Sequence, residues 1–182
     1  MAEIALITLA DIQGYEDVSD LFDLGRLNAY IQEAQRLKLR ELLGAALYQE
    51  MFSNVSDIDT IIAPYDDLIN GVEYEIIDGE PIQFYGIKPY LCYEVLCIMF
   101  ARNNFRITDY GNMGFSNDPQ SYMNKPSRTE RRDAMNSLRQ SAADYRNDIV
   151  LFLNEKYSTY PLWDGGRMTP KRAQVYIKST LS

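Results

Sequence analysis

Carboxylates are the first candidates for acid–base chemistry in this chain, because its 182 residues include no histidine, which is the commonest general acid and base. Two carboxylates can act as general acid and general base when their surroundings separate their pKa values. Three close pairs have suitable residue types: Asp57 and Asp59, Asp66 and Asp67, and Glu73 and Glu75. The first two pairs lie in predicted turns or helix caps, and the third lies on the polar face of a predicted strand. We therefore expect all three pairs to be solvated rather than catalytic.

Glu94 differs from these pairs because it interrupts a strongly apolar predicted helix. A buried carboxylate needs a cation or hydrogen bonds close by. Arg139 and Arg146 lie on the long helix that follows, and we expect one of them to pair with Glu94. Catalysis by Glu94 is the alternative interpretation.

Other catalytic or cofactor-binding patterns are absent from the sequence. It has no GxGxxG, GxxxxGK[ST] or GxSxG string, and no loop has EF-hand spacing. Cys92 and Cys97 are five residues apart on one predicted helix, so they point in different directions and cannot form a disulfide. We expect both to be small buried residues in a reducing compartment. The sequence thus predicts no catalytic residue, no cofactor and no metal, and a protein that is not an enzyme.

Charge is uneven along the chain, whose formal net charge is −8. Residues 1–90 hold 17 acids and 5 bases, net −12, and residues 91–182 hold 9 acids and 13 bases, net +4. An acidic chain is a poor general binder of nucleic acid, because phosphate affinity needs Lys and Arg. The asymmetry reflects either chance and solubility, or opposite faces that meet another copy or a partner.

No segment of the sequence predicts membrane insertion or export. The longest apolar stretch, residues 90–101, contains Glu94 and is too short to span a bilayer. Residues 1–7 lack a basic n-region, so we expect no signal peptide.

Apolar periodicity in the first third of the chain predicts helices. Asp23 is typical of an N-cap, and it precedes an apolar stripe at spacings of three and four residues. That stripe consists of Leu24, Leu27, Ile31, Ala34 and Leu37. We expect Gly44 to end this helix and residues 45–52 to continue helically. Ser56 is expected to cap a further short helix that ends at Gly71.

A hairpin and a buried helix are predicted next. Apolar and polar residues alternate over residues 72–84 on both sides of Asp78-Gly79, which is a strong hairpin signal. Residues 86–107 form the most apolar helix, which we expect in the middle of a bundle.

The last third is predicted to contain a loop, a long helix and an arm. Residues 108–127 are polar with interspersed aromatic side chains, and loops this long are usually functional. A long helix follows from a Ser127 capping box to about Tyr157. Its apolar stripe consists of Ala134, Leu138, Ala142, Tyr145, Ile149 and Phe152. Proline and glycine residues within 161–166 then separate a C-terminal arm from the core.

Several aromatic and basic residues in the loop and the arm are not explained by core packing. Tyrosine, tryptophan and arginine are favoured at protein interfaces. The residues that we predict to contact a partner are Tyr110, Phe115, Tyr122, Trp163, Arg167, Lys171, Arg172 and Tyr176.

Together these elements predict a mainly α protein: an antiparallel helical bundle with one small β-hairpin, a long projecting loop and a C-terminal arm. Residues 1–157 are expected to form the helical domain and residues 158–182 the docking arm.

Several segments carry a likeness to a known family. They are LITLAD at 6–11, YIQEAQ at 30–35, LRELLG at 39–44, KPYLCY at 88–93 running through ARN at 101–103, TDYG at 108–111, and the end of the long helix at 145–153. In this order they resemble the head–tail connector, or ring, proteins of tailed bacteriophages, most closely those of crAss-like phages of Bacteroides. The likeness covers most of residues 4–157.

The resemblance implies a structural virion protein that forms a ring, typically of twelve copies, below the portal protein. Such a ring joins the capsid to the tail and extends the DNA channel, through which DNA passes without sequence-specific binding. The implied partners are further copies of the chain, the portal, and other ring or tail proteins. The implied location is the virion neck, assembled in the host cytoplasm. By order along the chain, residues 109–125 match the loop that contacts neighbours or the lumen in such proteins, and residues 163–181 match the segment that reaches toward the portal.

Two other functions remain open from the sequence. One is a cytosolic adaptor or regulator that binds a single protein through its C-terminal arm. The other is an enzyme that uses Glu94 or the paired aspartates.

Overall fold

Helices dominate the computed structural model, which describes residues 4–16, 23–57, 60–75, 81–102, 106–107, 113–114 and 128–165. The helices are α1 (Leu9–Gln13), α2 (Leu24–Glu33), a π-helical segment (Ala34–Leu39), α3 (Arg40–Leu43), α4 (Ala45–Ser53), α5 (Tyr65–Asn70), α6 (Lys88–Arg102) and α7 (Arg128–Glu155). The strands are β1 (Val55–Asp57), β2 (Thr60–Ile61), β3 (Val72–Glu75), β4 (Pro81–Phe84), β5 (Arg106–Ile107) and β6 (Met113–Gly114). The predicted mainly α class with a small hairpin is confirmed.

Helix α6 lies at the centre of the fold, as its apolar composition predicts. It packs against α7 and also contacts α1, α2 and the π-helical segment. Its fully buried side chains include Leu91, Val95 and Met99. A helix that is apolar on most faces is stable only where other elements cover all of those faces. Helices α1, α2 and α7 and the π-helical segment are therefore arranged around α6.

Helix α7 presents the predicted apolar stripe to α6. Leu138, Ala142, Ile149 and Phe152 are buried, and Tyr145 is half-buried. These spacings of three, four and seven residues keep the side chains on one face of an α-helix. The register inferred from the sequence is confirmed for this helix.

The stripe predicted for α2 is wrong at both of its ends. Leu24 and Leu37 expose 59% and 58% of their surface, whereas Leu39 is fully buried. At the second end the reason is the π-helical segment, in which the Arg40 amide donates to the Gln35 carbonyl five residues earlier. A π turn holds one more residue than an α turn, and Leu39 rather than Leu37 faces the core beyond it.

The helix predicted from Ser56 to Asn70 is also wrong in its first half. That half contains β1 and β2, which pair as an antiparallel ladder, and only α5 is helical. The β-branched residues Thr60 and Ile61 favour a strand, and Pro64 is incompatible with a helix interior. The predicted end at Gly71 is confirmed.

Strands β3 and β4 form the predicted hairpin, with Val72 opposite Phe84 and Glu75 opposite Pro81. The predicted Asp78-Gly79 turn lies outside the described residues. The described part contains two further short antiparallel ladders, β1 with β2 and β5 with β6, which the sequence did not indicate. Strand β6 lies within the predicted loop 108–127, whose other residues are outside the described part.

The base of the hairpin depends on two glycines with positive φ. Gly71 has φ +90° and Gly86 has φ +79°. A Cβ on Gly71 would collide with the Phe84 carbonyl oxygen, and one on Gly86 would collide with the Ile69 carbonyl oxygen. Glycine is therefore needed at both positions for conformation and for space.

The buried core continues past residue 157, after which the sequence predicts the arm. Tyr160 and Trp163 lie in the core, because the chain folds back after α7 instead of leaving it. The Tyr160 hydroxyl donates to the Pro64 carbonyl oxygen at 2.8 Å. The core of the described chain therefore extends to Trp163.

Candidate functional site

Of the eight predicted interface residues, seven lie outside the described residues. These are Tyr110, Phe115, Tyr122, Arg167, Lys171, Arg172 and Tyr176. They remain predictions.

Trp163, the eighth, is not an exposed docking residue. Only 2% of it is exposed, and its indole Nε1 donates to the Asn154 side-chain oxygen at 3.0 Å. A buried indole packs through its apolar surface and still needs one hydrogen-bond acceptor, which α7 supplies. Trp163 therefore stabilises the fold and is unavailable to a partner in this conformation.

A cluster of four tyrosines, which the sequence did not indicate, forms an aromatic surface. The tyrosine cluster consists of Tyr15 after α1, Tyr85 after β4, Tyr93 on α6 and Tyr145 on α7. The rings of Tyr93 and Tyr145 stack at 5.7 Å between centroids, and Tyr15 lies 5.7 Å from Tyr93. Tyr85 meets Tyr145 edge-on at 6.4 Å.

The cluster is partly open to solvent. Tyr85 exposes 57% of its surface and Tyr15 38%. Burial raises the pKa of Tyr15 to about 12, with smaller contributions from Cys92, from Tyr145 and Tyr93, and from Asp11. The cluster is thus a surface of apolar rings and polar hydroxyls. This combination is enriched at protein interfaces.

Glu94 lies in a groove bounded by the π-helical segment, α6 and α7, with a volume of about 430 Å³. Both predicted partners, Arg139 and Arg146, line this groove. Lys38 joins them, which the sequence did not indicate. The seven-residue spacing of the two arginines places them on one face of α7. This spacing is visible in the sequence, so their shared position could be predicted from it.

Burial raises the pKa of Glu94, while Lys38, a hydrogen bond from the Tyr90 hydroxyl, and Arg146 act in the opposite direction. Desolvation of the carboxylate therefore outweighs its favourable neighbours. We name this site the basic groove, after Lys38, Arg139 and Arg146.

A second groove lies where the hairpin meets the end of α7, and its volume is about 710 Å³. Its charged lining residues are Asp67, Glu73, Glu75 and Lys156. We name it the acidic groove. Glu73, Glu75 and Asp67 are exposed, in agreement with the expectation of solvated carboxylates. The Lys156 ammonium lies over the Tyr74 ring, 5.6 Å from its centre, and makes a cation–π contact with it.

The cysteines do not form a disulfide with each other, as their spacing predicts. Cys92 is buried, which agrees with the expectation for it, whereas Cys97 is half-buried and lines the basic groove. Burial raises the pKa of Cys92 to about 12 and that of Cys97 to about 11, so both are protonated thiols at neutral pH.

Within the described residues, no group of three or more His, Cys, Asp or Glu side chains is placed to hold a metal ion.

In the part of the chain that the structure describes, no helix is long and apolar enough to cross a membrane.

The fold and its surfaces define a small helical bundle with a β-hairpin, an aromatic surface and two oppositely charged grooves. The chain belongs to DUF6712, a family of unknown function, whose family model matches residues 39–171. No curated protein and no solved structure matches the chain significantly.

Proposed function

We propose that this protein is a structural virion subunit of a tailed bacteriophage. It assembles as a ring, typically of twelve copies, below the portal, joins the capsid to the tail and extends the DNA channel. The resemblance of the sequence to connector proteins supports this function. The single structural observation that supports it best is the tyrosine cluster, a partly exposed surface formed by four aromatic rings in mutual contact.

The tyrosine cluster suits a contact surface because each ring brings a large area with few rotatable bonds. Tyrosine is therefore ordered at low entropic cost when a partner covers it. The rings are already packed against one another across α1, α6, α7 and the hairpin. A partner would meet a surface that needs little rearrangement.

The charge of the chain fits the same proposal. A net charge of −8 disfavours tight phosphate contacts, so DNA would slide through a lumen rather than bind its wall. In this proposal the ring is assembled in the host cytoplasm and resides in the virion neck. Tyr110, Phe115, Tyr122 and the basic residues of the arm are further contact residues that we propose for neighbours and the portal.

Particle mass and negative-stain images of the full chain, alone and mixed with its candidate portal, test the proposal. We expect rings of the chain alone, or rings that form on the portal. Tyr85→Ala should weaken assembly, while Tyr157→Ala is the matched control, because both tyrosines expose 57% of their surface and only Tyr85 belongs to the cluster. A monomer under both conditions would overturn the ring and favour the adaptor alternative.

A further inference from the structure

The basic groove is lined by cationic side chains and by small apolar ones. Its charged lining residues are three cations and one carboxylate, a formal net charge of +2. Ile98, Ala101 and Ala142 belong to the uncharged part of its lining. Lys38, Arg139 and Arg146 are all exposed. An acidic segment could therefore bind in this groove and contact its exposed cations.

The acidic groove has the opposite charge. Its charged lining residues are three carboxylates and one lysine, a formal net charge of −2. Glu73 and Glu75 are two residues apart on β3, so they project from the same face of the hairpin. Both are exposed, and their cross-strand neighbours Gln83 and Pro81 carry no charge. The hairpin thus presents paired carboxylates without a cation opposite them.

The two grooves cannot neutralise each other within one subunit. Arg146, the cation of the basic groove that is nearest to Lys156 along the chain, lies 10 positions before it, which corresponds to roughly 15 Å along the helical axis. Attraction between exposed charges is largely screened beyond about 10 Å at ordinary salt. The opposite charges can therefore meet only between two molecules.

We infer that the basic groove of one copy docks the acidic hairpin face, Glu73 and Glu75, of a second copy. This inference rests on the proposed ring and names one of its contacts. Different patches meet at such an interface, so it is head-to-tail, and contacts of this kind close into rings when the rotation between copies allows it. The occupant is a second copy because the chain itself carries the complementary charge.

Charge reversal tests this contact in the full chain. R139E/R146E makes both surfaces acidic, and E73K/E75K makes both surfaces basic, so neither variant should assemble alone. A 1:1 mixture should assemble, because each reversed surface then meets its opposite on the other variant. We expect each variant alone to need about tenfold or more protein for half-assembly, and the mixture to recover most of that loss.

Two further variants keep the test decisive. R26E/R132E changes the same number of charges at exposed positions outside both grooves and should assemble normally. R139Q/R146Q removes the cations without adding carboxylates beside Glu94, and it replaces R139E/R146E if that variant lacks the far-UV circular dichroism of the wild type. It should assemble less well than the wild type.

The outcomes separate the inference from the function on which it rests. A wild-type chain that stays monomeric, alone and with the portal, overturns both. Wild-type rings that are insensitive to the groove variants, or a mixture that is not restored, overturn the docking contact alone. Loss of portal binding with normal self-assembly shows that the portal occupies the groove, which also overturns the second copy as its occupant.

Discussion

The side chain of Gln35 accepts a hydrogen bond from the backbone amide of Leu6 at 2.8 Å, 29 positions earlier in the chain. Its Nε2 donates to the Ile4 carbonyl oxygen at 2.9 Å. Gln35 is completely buried within the π-helical segment. The side-chain amide of Gln35 thus satisfies one backbone donor and one backbone acceptor of the N-terminal segment. Both of these groups belong to residues outside any helix or strand.

Gln35→Met should destabilise the protein by about 2 kcal/mol or more. The substitution keeps the volume but leaves the Leu6 amide and the Ile4 carbonyl without their partner, and an unsatisfied buried polar group costs about 1–3 kcal/mol. Urea denaturation measures the change. Gln140→Met is the control, because Gln140 donates to Asp144 on the exposed face of α7. Equal losses in the two variants would contradict the role of Gln35.

Leu138→Ala should destabilise the fold by about 2–5 kcal/mol, since Leu138 is buried against α6 and its loss leaves a cavity. Leu151 lies on the same helix with 59% of its surface exposed. Leu151→Ala should therefore change stability by no more than about 0.5 kcal/mol. Thermal or urea unfolding of both variants checks the register of α7, which would be wrong if the two losses were reversed.

Gly86→Ala should lower the free energy of unfolding more than Gly165→Ala does, although both glycines have nearly the same positive φ, +79° and +77°. Strain from the left-handed conformation, about 1–2 kcal/mol, is common to the two variants. Only at Gly86 would the new methyl group also collide with a backbone carbonyl, that of Ile69. We expect the additional loss to be about 1–3 kcal/mol. Similar free energies of unfolding would mean that the hairpin base has more space than the structure shows.

Deletion of residues 159–182 should destabilise the domain by about 3 kcal/mol or more, because it removes the buried Tyr160 and Trp163. If the arm began at residue 158, as the sequence predicts, this deletion would cause no such loss of stability. Deletion of residues 166–182 keeps both aromatic residues and should leave the unfolding midpoint close to that of the full chain. Far-UV circular dichroism and thermal unfolding compare the two truncations. A stable, fully helical 1–158 chain would show that Tyr160 and Trp163 are dispensable for the core.

Glu94→Gln should make the stability of the fold less dependent on pH. Burial raises the pKa of Glu94 above its unfolded value of about 4.3, so between these two values the folded state holds more protons than the unfolded state. The wild type therefore loses stability relative to the variant as pH rises from about 4 through the folded pKa, and the difference is constant above it.

Urea denaturation of the wild type and the Glu94→Gln variant over this pH range isolates the contribution of Glu94. Other carboxylates with a raised pKa, such as Glu16 and Asp148, cancel in the difference. A difference that grows in favour of the wild type with rising pH would show that Lys38 and Arg146 outweigh desolvation. Unchanged assembly of the variant would also argue against an essential acid–base role for Glu94.

Local patterns in the sequence determined most of the helical framework. The Asp23 N-cap, the end at Gly44, the buried α6, the stripe of α7 and the β3–β4 pairing follow from the types and spacing of near neighbours. Helices and hairpins form through contacts between residues close along the chain, so their signals are readable in one dimension. The groove that Glu94 shares with Arg139 and Arg146 was predictable for a related reason, since a carboxylate on an apolar helix favours cations on the neighbouring helix.

The tertiary structure alone decided which surfaces those elements share. Gln35 is polar and was not predicted to be buried, yet it is needed inside because Ile4 and Leu6 lie against it. Trp163 follows a proline and precedes two glycines, yet the chain folds back and buries it. The tyrosine cluster joins residues as distant as Tyr15 and Tyr145. Each of these outcomes depends on which distant segments meet, and that is fixed by packing of the whole chain and not by local periodicity.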